Sequence, residues 1–268
     1  MTVAATGRTP AATVPHTRLS GGRRKGDQGF TELATSPLIS VVTVVYNAGA
    51  ALRSTINSVL SVRIDRGDME YIVVDGGSTD ATITTLQSLD GQLDLWISEP
   101  DAGIYDAMNK GIELARGQWV YHLNIGDRML CVPNVFDVAI PSDVECVSAR
   151  VQIDSQACHL PSAGLELRFH NTLHHQGTFY RKTPRLHYDL RYKVFADFDL
   201  NQQLLLSGAR IVLCDEIVAS HDQGGVSHNR ARFSEVYRVV RANFGPLWVV
   251  ACFLYFKYRG LRKRLRLS

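Results

Sequence analysis

The chain lacks the common nucleotide and metal signatures. It has no G-x-x-x-x-G-K-[ST], so no P-loop, and its first apolar run is not followed by G-x-G-x-x-G, which excludes a dinucleotide Rossmann site. No Gly-rich loop with Arg or Lys follows that run either, as a sugar nucleotidyltransferase would require. Cysteine is scarce: Cys131, Cys146, Cys158, Cys214 and Cys252 form no C-x-x-C pair and mostly sit in apolar surroundings. They read as buried, reduced thiols of a cytosolic protein. His170 and His174 stand four apart, and His175, His187, His221 and His228 follow. With no H-E-x-x-H and no regular spacing to a cysteine, zinc is not expected. Long apolar runs are missing too. Near the end, "PLWVVACFLYF" (Pro246 to Phe256) is an uncharged run of eleven residues, where a bilayer span needs about 20. Residues 1–35 carry no apolar h-region, so no secretory signal is expected. Their Ala, Thr, Gly, Pro and Arg content reads as a disordered leader. No internal repeat is visible.

What is present is a globular body. The 268 residues, 45% of them hydrophobic, suit one domain or one and a half. The net charge of +3 divides unevenly. The last twelve residues hold six Lys or Arg and no acid, and residues 1–35 carry +3, which leaves the middle at −6. An acidic body with basic ends argues against a nucleic-acid groove. It fits a metal-using body held to an anionic surface by its tail.

Short β-branched runs alternate with helical spacing. "LISVVTVVY" (Leu38 to Tyr46), "YIVV" (Tyr71 to Val74), "LDLWIS" and "WVYHL" (Trp119 to Leu123) predict buried strands. Between them, Leu52, Ile56, Val59 and Leu60 predict one helix. Ser78, Thr79 and Asp80 cap a second that carries Ile83 and Leu86, and Tyr105 to Ala115 forms a third, with Gly117 just past its end. This alternation implies a mostly parallel sheet with helices on both faces. Such sheets bind ligands beyond the carboxyl ends of their strands, near a switch in strand order. Tyr46-Asn47, Asp75, Asp101 and Asp127 all fall at or just after strand ends, so one cleft collects them.

Beyond residue 130 the pattern becomes α+β, with strands at "VECVSARVQI", "HHQGTFYRK" and "RIVLC" and a helix over "ADFDLNQQLLLSG". A nucleotide diphosphate needs a hard divalent cation held by oxygen ligands. Asp127 either holds that ion or only caps the turn at Gly126-Asp127-Arg128; its position supports both readings equally.

In order, "SVVTVVYNAGAALRSTINSVL", "YIVVDGGSTDAT", "SEPDAGIYDAMNKGIELARGQWVYHLNIGD", "HHQGTFYRK" and "YKVFADFDLN" resemble family-2 glycosyltransferases of the GT-A fold, over roughly residues 38–230. The branch most resembled builds bacterial surface polysaccharides and glycolipids. The resemblance implies an α/β GT-A body with a single Rossmann-like nucleotide-diphospho-sugar domain and a mostly parallel sheet. It also implies inverting transfer from a nucleotide-diphosphate sugar to a lipid-linked or saccharide acceptor, with Mg²⁺ or Mn²⁺. Tyr46 and Asn47 would line the base and ribose pocket, and Asp75 would contact base or ribose. Asp101 and Asn109 would face the donor sugar and ribose, and Asp127 would be the metal carboxylate. His175 and Gln176 would shape the diphosphate or acceptor region, and Asp197 would be the general base. Asp199 is the rival base, but i and i+2 on a helix face different ways.

The chain departs from the commonest family pattern at Gly76, where many members have a second Asp. It departs again at Asn124 and Gly126, which replace acids beside Asp127, and at Ala196, before the base. A single firm metal carboxylate keeps a second class in view, a nucleotide-sugar-binding protein or membrane scaffold without strong catalysis.

The organisation expected is a leader over 1–35 and a glycosyltransferase domain over 36–230, with a donor half 36–130 and an acceptor half 131–230. C-terminal helices over 231–268 form a membrane-associated tail. Gln223 to Asn229 is a Gly-rich lid or a plain connector. Leu254, Tyr258, Leu261 and Leu265 share one helix face among six cations, so the tail reads as an interfacial helix on anionic lipid, with docking on the domain or a dimer seam as alternatives. The expected location is cytoplasmic, peripheral on the inner face of the cell membrane.

Overall fold

The computed structural model describes residues 18–26, 37–153, 157–221 and 233–265. The loop Gln223 to Asn229 lies outside the described residues. Four strands form the parallel heart of the sheet: β2 (Ile39–Val45), β3 (Met69–Asp75), β4 (Leu95–Ser98) and β5 (Trp119–His122). They run in the order β4-β3-β2-β5. All seven residues of β2 and of β3 are buried, because helices cover both faces of the sheet. On one face Val41 and Val73 join Leu52, Ile56 and Val59 of α2 (Ala51–Asp65) and Leu86 of α3 (Thr82–Ser88). On the other, Val42, Val44 and Ile72 meet Met108 and Ile112 of α4 (Ile104–Leu114).

Chain order reverses at β2, since β3 and β4 lie to one side of it and β5 to the other. The second half extends the same sheet. β9 (Thr178–Arg181) pairs antiparallel with β5, β7 (Val144–Gln152) antiparallel with β9, and β10 (Arg210–Ser220) parallel with β7. The two-residue strands β6 (Arg128–Met129) and β8 (Cys158–His159) pair with β10 and β7. The two halves of the chain therefore share one sheet. The α/β class and the mostly parallel sheet agree with the sequence reading.

Two stretches differ from it. Residues 18–26, placed by the sequence in a disordered leader, form β1 (Leu19–Gly21), antiparallel to β4, and α1 (Arg23–Gly26). Tertiary contacts hold them. Gly22 N–H donates to Asp90 at 2.6 Å, Arg23 pairs with Asp94 at 2.5 Å, and Arg24 reaches the buried Glu70 at 3.2 Å. At the other end, α6 (Phe233–Phe244) belongs to the body. Its Val236, Val239 and Val240 are buried with Phe198, Leu200 and Leu204 of α5 (Ala196–Leu206).

The last helix, α7 (Pro246–Leu265), docks by one face only. Cys252 is buried, and Tyr255 stacks on Phe169 at 5.0 Å and hydrogen-bonds His170 at 2.8 Å. Leu247, Val250, Leu254, Tyr258 and Leu261 remain exposed, Leu247 by 83%. Among the described residues no helix is long and apolar enough to cross a membrane. All five cysteines are unpaired.

Candidate active site

The loops after β2, β3 and β4 are tied together by side chains the sequence singled out. Tyr46, just past β2, is 65% exposed. Asn47 takes a left-handed backbone (φ 49°); its N–H donates to Ser78 Oγ at 2.7 Å and its Oδ1 accepts from Thr79 N at 2.9 Å. Asp75, fully buried at the end of β3, accepts from Gly77 N (3.1 Å), Ser78 N (2.9 Å), Ser98 Oγ (2.6 Å) and Ser78 Oγ. It organises the loop from which any ligand contact would be made.

Asp101 accepts from Gly103 N at 2.8 Å, and partial burial raises its carboxyl above the usual range. Asp106, in the first turn of α4, accepts from Ala102 N at 3.0 Å and lies 3.4 Å from Lys110, which places a carboxylate at a helix N-terminus. Asn109 is buried and uses both ends of its amide on the backbone of Tyr188. Its Nδ2 donates to Tyr188 O at 2.9 Å and its Oδ1 accepts from Tyr188 N at 2.8 Å. It clamps α4 to the segment around Tyr188.

Beyond β5 the carboxylate of Asp127 is buried, with Oδ1 2.9 Å from His221 Nδ1. His221, which the sequence named only among zinc candidates, comes from the end of β10, more than ninety residues away. Three residues before Asp127, the Asn124 Oδ1 atom is buried with no hydrogen-bond partner. Next to this turn lies a column of imidazoles. His122 stacks on His175 (5.6 Å), and His174 meets both His159 (5.2 Å) and His221 (5.1 Å). Burial lowers His122 and His174 to about 3, so both are neutral. Burial also lowers His175, against the pull of Asp197 and Asp127, and both of its ring nitrogens lack a hydrogen-bond partner. Gln176 is buried, its N–H 3.3 Å from His174 Nδ1 and its carbonyl accepting from Tyr121 at 2.7 Å.

Asp197 opens α5 and is 9% exposed. Its Oδ1 lies 3.0 Å from the Tyr105 hydroxyl, and its Oδ2 accepts from Asn171 Nδ2 at 2.7 Å. Burial raises this carboxyl, while His175 and Tyr105 oppose the rise. Asp199 turns away, as the helical spacing requires, and accepts from Asn243 (2.9 Å) on α6 and Gln203 (2.6 Å). Glu235 of α6 accepts from the backbone N–H groups of Lys193, Val194 and Phe195 at 2.9, 2.8 and 2.9 Å, bracing the chain just before Asp197. Tyr105, Asn171 and Glu235 were not singled out from the sequence, because each acts through a tertiary hydrogen bond with no local pattern.

A parallel sheet that reverses at β2, acids beyond its strand ends, and a second half carrying a buried carboxylate on the same sheet define a transferase of the GT-A class. The profile of "Glycosyl transferase family 2" matches residues 40–124. A PGL/p-HBAD biosynthesis glycosyltransferase of Mycobacterium tuberculosis (strain ATCC 25177 / H37Ra) is 32% identical over 212 residues, which covers 72% of this chain and 80% of that protein. The chain belongs to glycosyl transferase family 2.

A putative teichuronic acid biosynthesis glycosyltransferase, TuaG of Bacillus subtilis (strain 168), is 36% identical over 95 residues, 34% of this chain and 37% of that one. Among solved structures, S. aureus TarS 1-349 in complex with UDP-GlcNAc shares the fold at TM-score 0.59 and 16% identity. The match covers 76% of this chain and 66% of that one. In the longer TarS structure the chain spans only 39% of its neighbour. The mannosyltransferase PcManGT of Pyrobaculum calidifontis, in complex with GDP-Man and Mn²⁺, matches at TM-score 0.59 and 16% identity, over 83% of this chain and 70% of that one.

Proposed function

We propose that the protein moves a sugar, with inversion, from a nucleotide-diphosphate sugar to a lipid-linked or saccharide acceptor at the cytoplasmic face of the cell membrane, in surface glycan or glycolipid synthesis. The names of the relatives and the nucleotide sugars bound by the structural neighbours support the substrate class. The observation that carries the reading is Asp197: a buried carboxylate with donors aimed at it and a raised pKa, near the imidazole of His175. Asp199 is also buried and raised, but its partners are Asn243 and Gln203 and not His175 and Tyr105.

In this reading the acceptor hydroxyl gives its proton to Asp197 as its oxygen bonds to the anomeric carbon. The bond from that carbon to the diphosphate breaks on the opposite face, and the electron pair leaves with the phosphate. One base and one displacement give inversion. The exposed ring of Tyr46 offers a stacking surface for the base, beside Asn47 and Asp75. Asp101 faces the donor sugar and ribose side, and Asn109, expected beside it, is turned inward onto the backbone of Tyr188 and supports that side from behind. The unsatisfied nitrogens of His175, with Gln176 next in the chain, suit a diphosphate oxygen or the acceptor hydroxyl.

Mg²⁺ or Mn²⁺ fits at Asp127. His221 stands beside it, and the unpartnered amide oxygen of Asn124 is in the same turn. Among the described residues no three His, Cys, Asp or Glu side chains form a closed cage, so diphosphate oxygens and water would complete the shell. When bound, such an ion supplies Lewis-acid stabilisation of the leaving diphosphate.

The exposed stripe of α7, with Lys257 and Arg262 nearby and further cations in sequence, suits the headgroup region of an anionic membrane. Nucleotide release from a panel of UDP-, GDP- and dTDP-sugars tests the central claim. Asp197→Asn should lose about 10² to 10⁴ in turnover, the usual worth of a general base, and keep donor binding. Near-normal turnover would move the base elsewhere.

A further inference from the structure

The two oxygens of Asp197 differ in what reaches them. Oδ2 ends a chain of three side chains: the Tyr180 hydroxyl lies 2.9 Å from Asn201 Oδ1, Asn201 Nδ2 lies 2.9 Å from Asn171 Oδ1, and Asn171 Nδ2 lies 2.7 Å from Asp197 Oδ2. Tyr180 comes from β9, Asn201 from one turn further along α5, and Asn171 from the loop against which α7 docks. Tyr180, Asn201 and Asp197 are buried and Asn171 is half-buried, so the inner part of the chain is closed to water.

An ionised carboxylate only accepts, and an amide has one accepting and one donating end. The charge on Asp197 therefore sets the direction of every link. Asn171 must present its NH₂ to Oδ2, its oxygen must accept a hydrogen bond from the NH₂ of Asn201, and the oxygen of Asn201 must accept one from the Tyr180 hydroxyl. A proton placed on Oδ2 would face an N–H donor, and both amides would have to flip to accommodate it.

Oδ1 has a different neighbour. The Tyr105 hydroxyl has one proton and two acceptors, Val194 O at 2.6 Å and Asp197 Oδ1 at 3.0 Å. When it donates to Val194 O, its oxygen, which also accepts from the Asp197 backbone N–H, keeps a second lone pair to accept from a protonated Oδ1.

We propose that Tyr180, Asn201 and Asn171 act as a one-way hydrogen-bond chain that fixes Oδ2 of Asp197 as a permanent acceptor and leaves Oδ1, beside Tyr105, as the oxygen that takes the proton in transfer. Asn171, Asn201 and Tyr180 are positioning residues, since none of them need touch the acceptor. The proposal rests on Asp197 being the base. In the step itself the acceptor O–H bond breaks, the Oδ1–H bond forms, and the new hydroxyl of Asp197 donates to Tyr105. Cooperative polarisation along such a chain stabilises the anion at its end.

The test is carboxyl titration by NMR of protein labelled with ¹³C at the aspartate side chains, the Asp197 resonance being the one that disappears in Asp197→Asn. Asn171→Ala removes the last donor and should raise the Asp197 pKa by roughly one unit, about tenfold in proton affinity. Asn171→Asp, which keeps the shape but cannot donate at neutral pH, should raise it further. Tyr180→Phe, the mildest change and the furthest away, should raise it by less and in the same direction. An unchanged titration in the two Asn171 variants, or no response to Tyr180→Phe, overturns the chain.

Asp197→Asn reports on the choice of oxygen, because its amide imitates the protonated acid. Its NH₂ should show proton contacts to the Tyr105 ring, and its carbonyl should face Asn171. Contacts between the two NH₂ groups would overturn the assignment of Oδ1. None of these readouts requires turnover, so loss of the proposed reaction and loss of the chain are separately visible.

Discussion

The Asp101 carboxylate occupies the space that a side chain on Gly76 would fill: a Cβ on Gly76 would lie 2.2 Å from Asp101 Oδ2. The glycine that departs from the commoner family pattern is thus the partner of an acid from the next loop, and the cleft receives one carboxylate there. Gly76→Ala should displace Asp101 and, on the proposed reading, weaken donor binding. The clash is steric, since Gly76 is absent from the positive-φ positions. A double-mutant cycle of Gly76→Ala with Asp101→Ala, followed by thermal melting, should show coupling of about 0.5–3 kcal/mol, the range for residues in contact. Simple additivity would mean that the loop moves aside without resistance.

Glu235→Ala removes the shared acceptor of three backbone N–H groups. Unsatisfied buried donors cost about 1–3 kcal/mol each, so a loss of at least about 2 kcal/mol is expected in urea unfolding. Glu235→Gln, which keeps one carbonyl oxygen, should lose less. In both variants kcat should fall while donor affinity is kept, because the braced segment leads into Asp197 and not into the donor loops. A change confined to KM would contradict this role.

The raised carboxyl of Asp197 sets two pH effects. Activity needs the ionised form, so kcat/KM should fall on the acidic side with a midpoint above the unperturbed value of about 3.9. Because the folded pKa is raised, the contribution of Asp197 to stability is greatest below the unfolded value and is lost as pH rises through the folded one. Ionised Asp197 therefore costs stability at neutral pH. Asp197→Asn should melt higher than wild type at pH 7, by about 2–4 °C for each kcal/mol relieved, and the gap should close as pH falls toward 4. A lower melting point at pH 7 would show that Asn171 and Tyr105 outweigh burial.

Asp127→Ala and His221→Ala should each reduce the affinity for UDP or GDP in the presence of Mn²⁺ and change it little in chelator, as read by calorimetry. Equal affinity with and without metal in the wild-type protein would leave Asp127 as a turn residue.

The two faces of α7 are separable. Serine at Val250, Leu254 and Leu261 leaves Cys252, Tyr255 and Phe256 on the docked side untouched, so melting should be unchanged. Sedimentation with anionic vesicles should drop in the variant. Wild-type binding should fall only in part with salt, since screening shortens the reach of the cations to about 8 Å at physiological ionic strength while apolar burial persists. Vesicle binding unaffected by the three serines would point to docking on protein instead.

The parallel heart of the sheet was legible because β2 and β3 are unbroken β-branched runs, the mark of strands covered on both faces. The strand-end placement of Asp75, Asp101 and Asp127 was legible because each follows a short apolar run. The elements that escaped notice have no local signature. β1 is three residues long and depends on Asp90, Asp94 and Glu70 far along the chain, and β6 has two residues. β10 continues past "RIVLC" through Asp215 and Glu216 to Ser220, beyond the apolar run that marks its start. The groups that hold Asp197 and the segment before it are likewise scattered: Tyr105 in α4, Asn171 in a loop and Glu235 in α6 converge only after the sheet has formed. Asp197 itself was chosen over Asp199 from family pattern and helix geometry, and the two carboxylates do point to different surroundings.

The bond from Glu235 to residues 193–195 also orders events in time. A chain emerging from the ribosome completes β2 to β5, with the donor loops, well before α6 exists, and domains generally form from the N-terminal side as synthesis proceeds. The segment that seats Asp197 is fixed only when a helix more than thirty-five residues downstream of it has been made. On the proposed reading, the loops at the ends of β2 to β5 can form before the base is seated, so competence waits for α6.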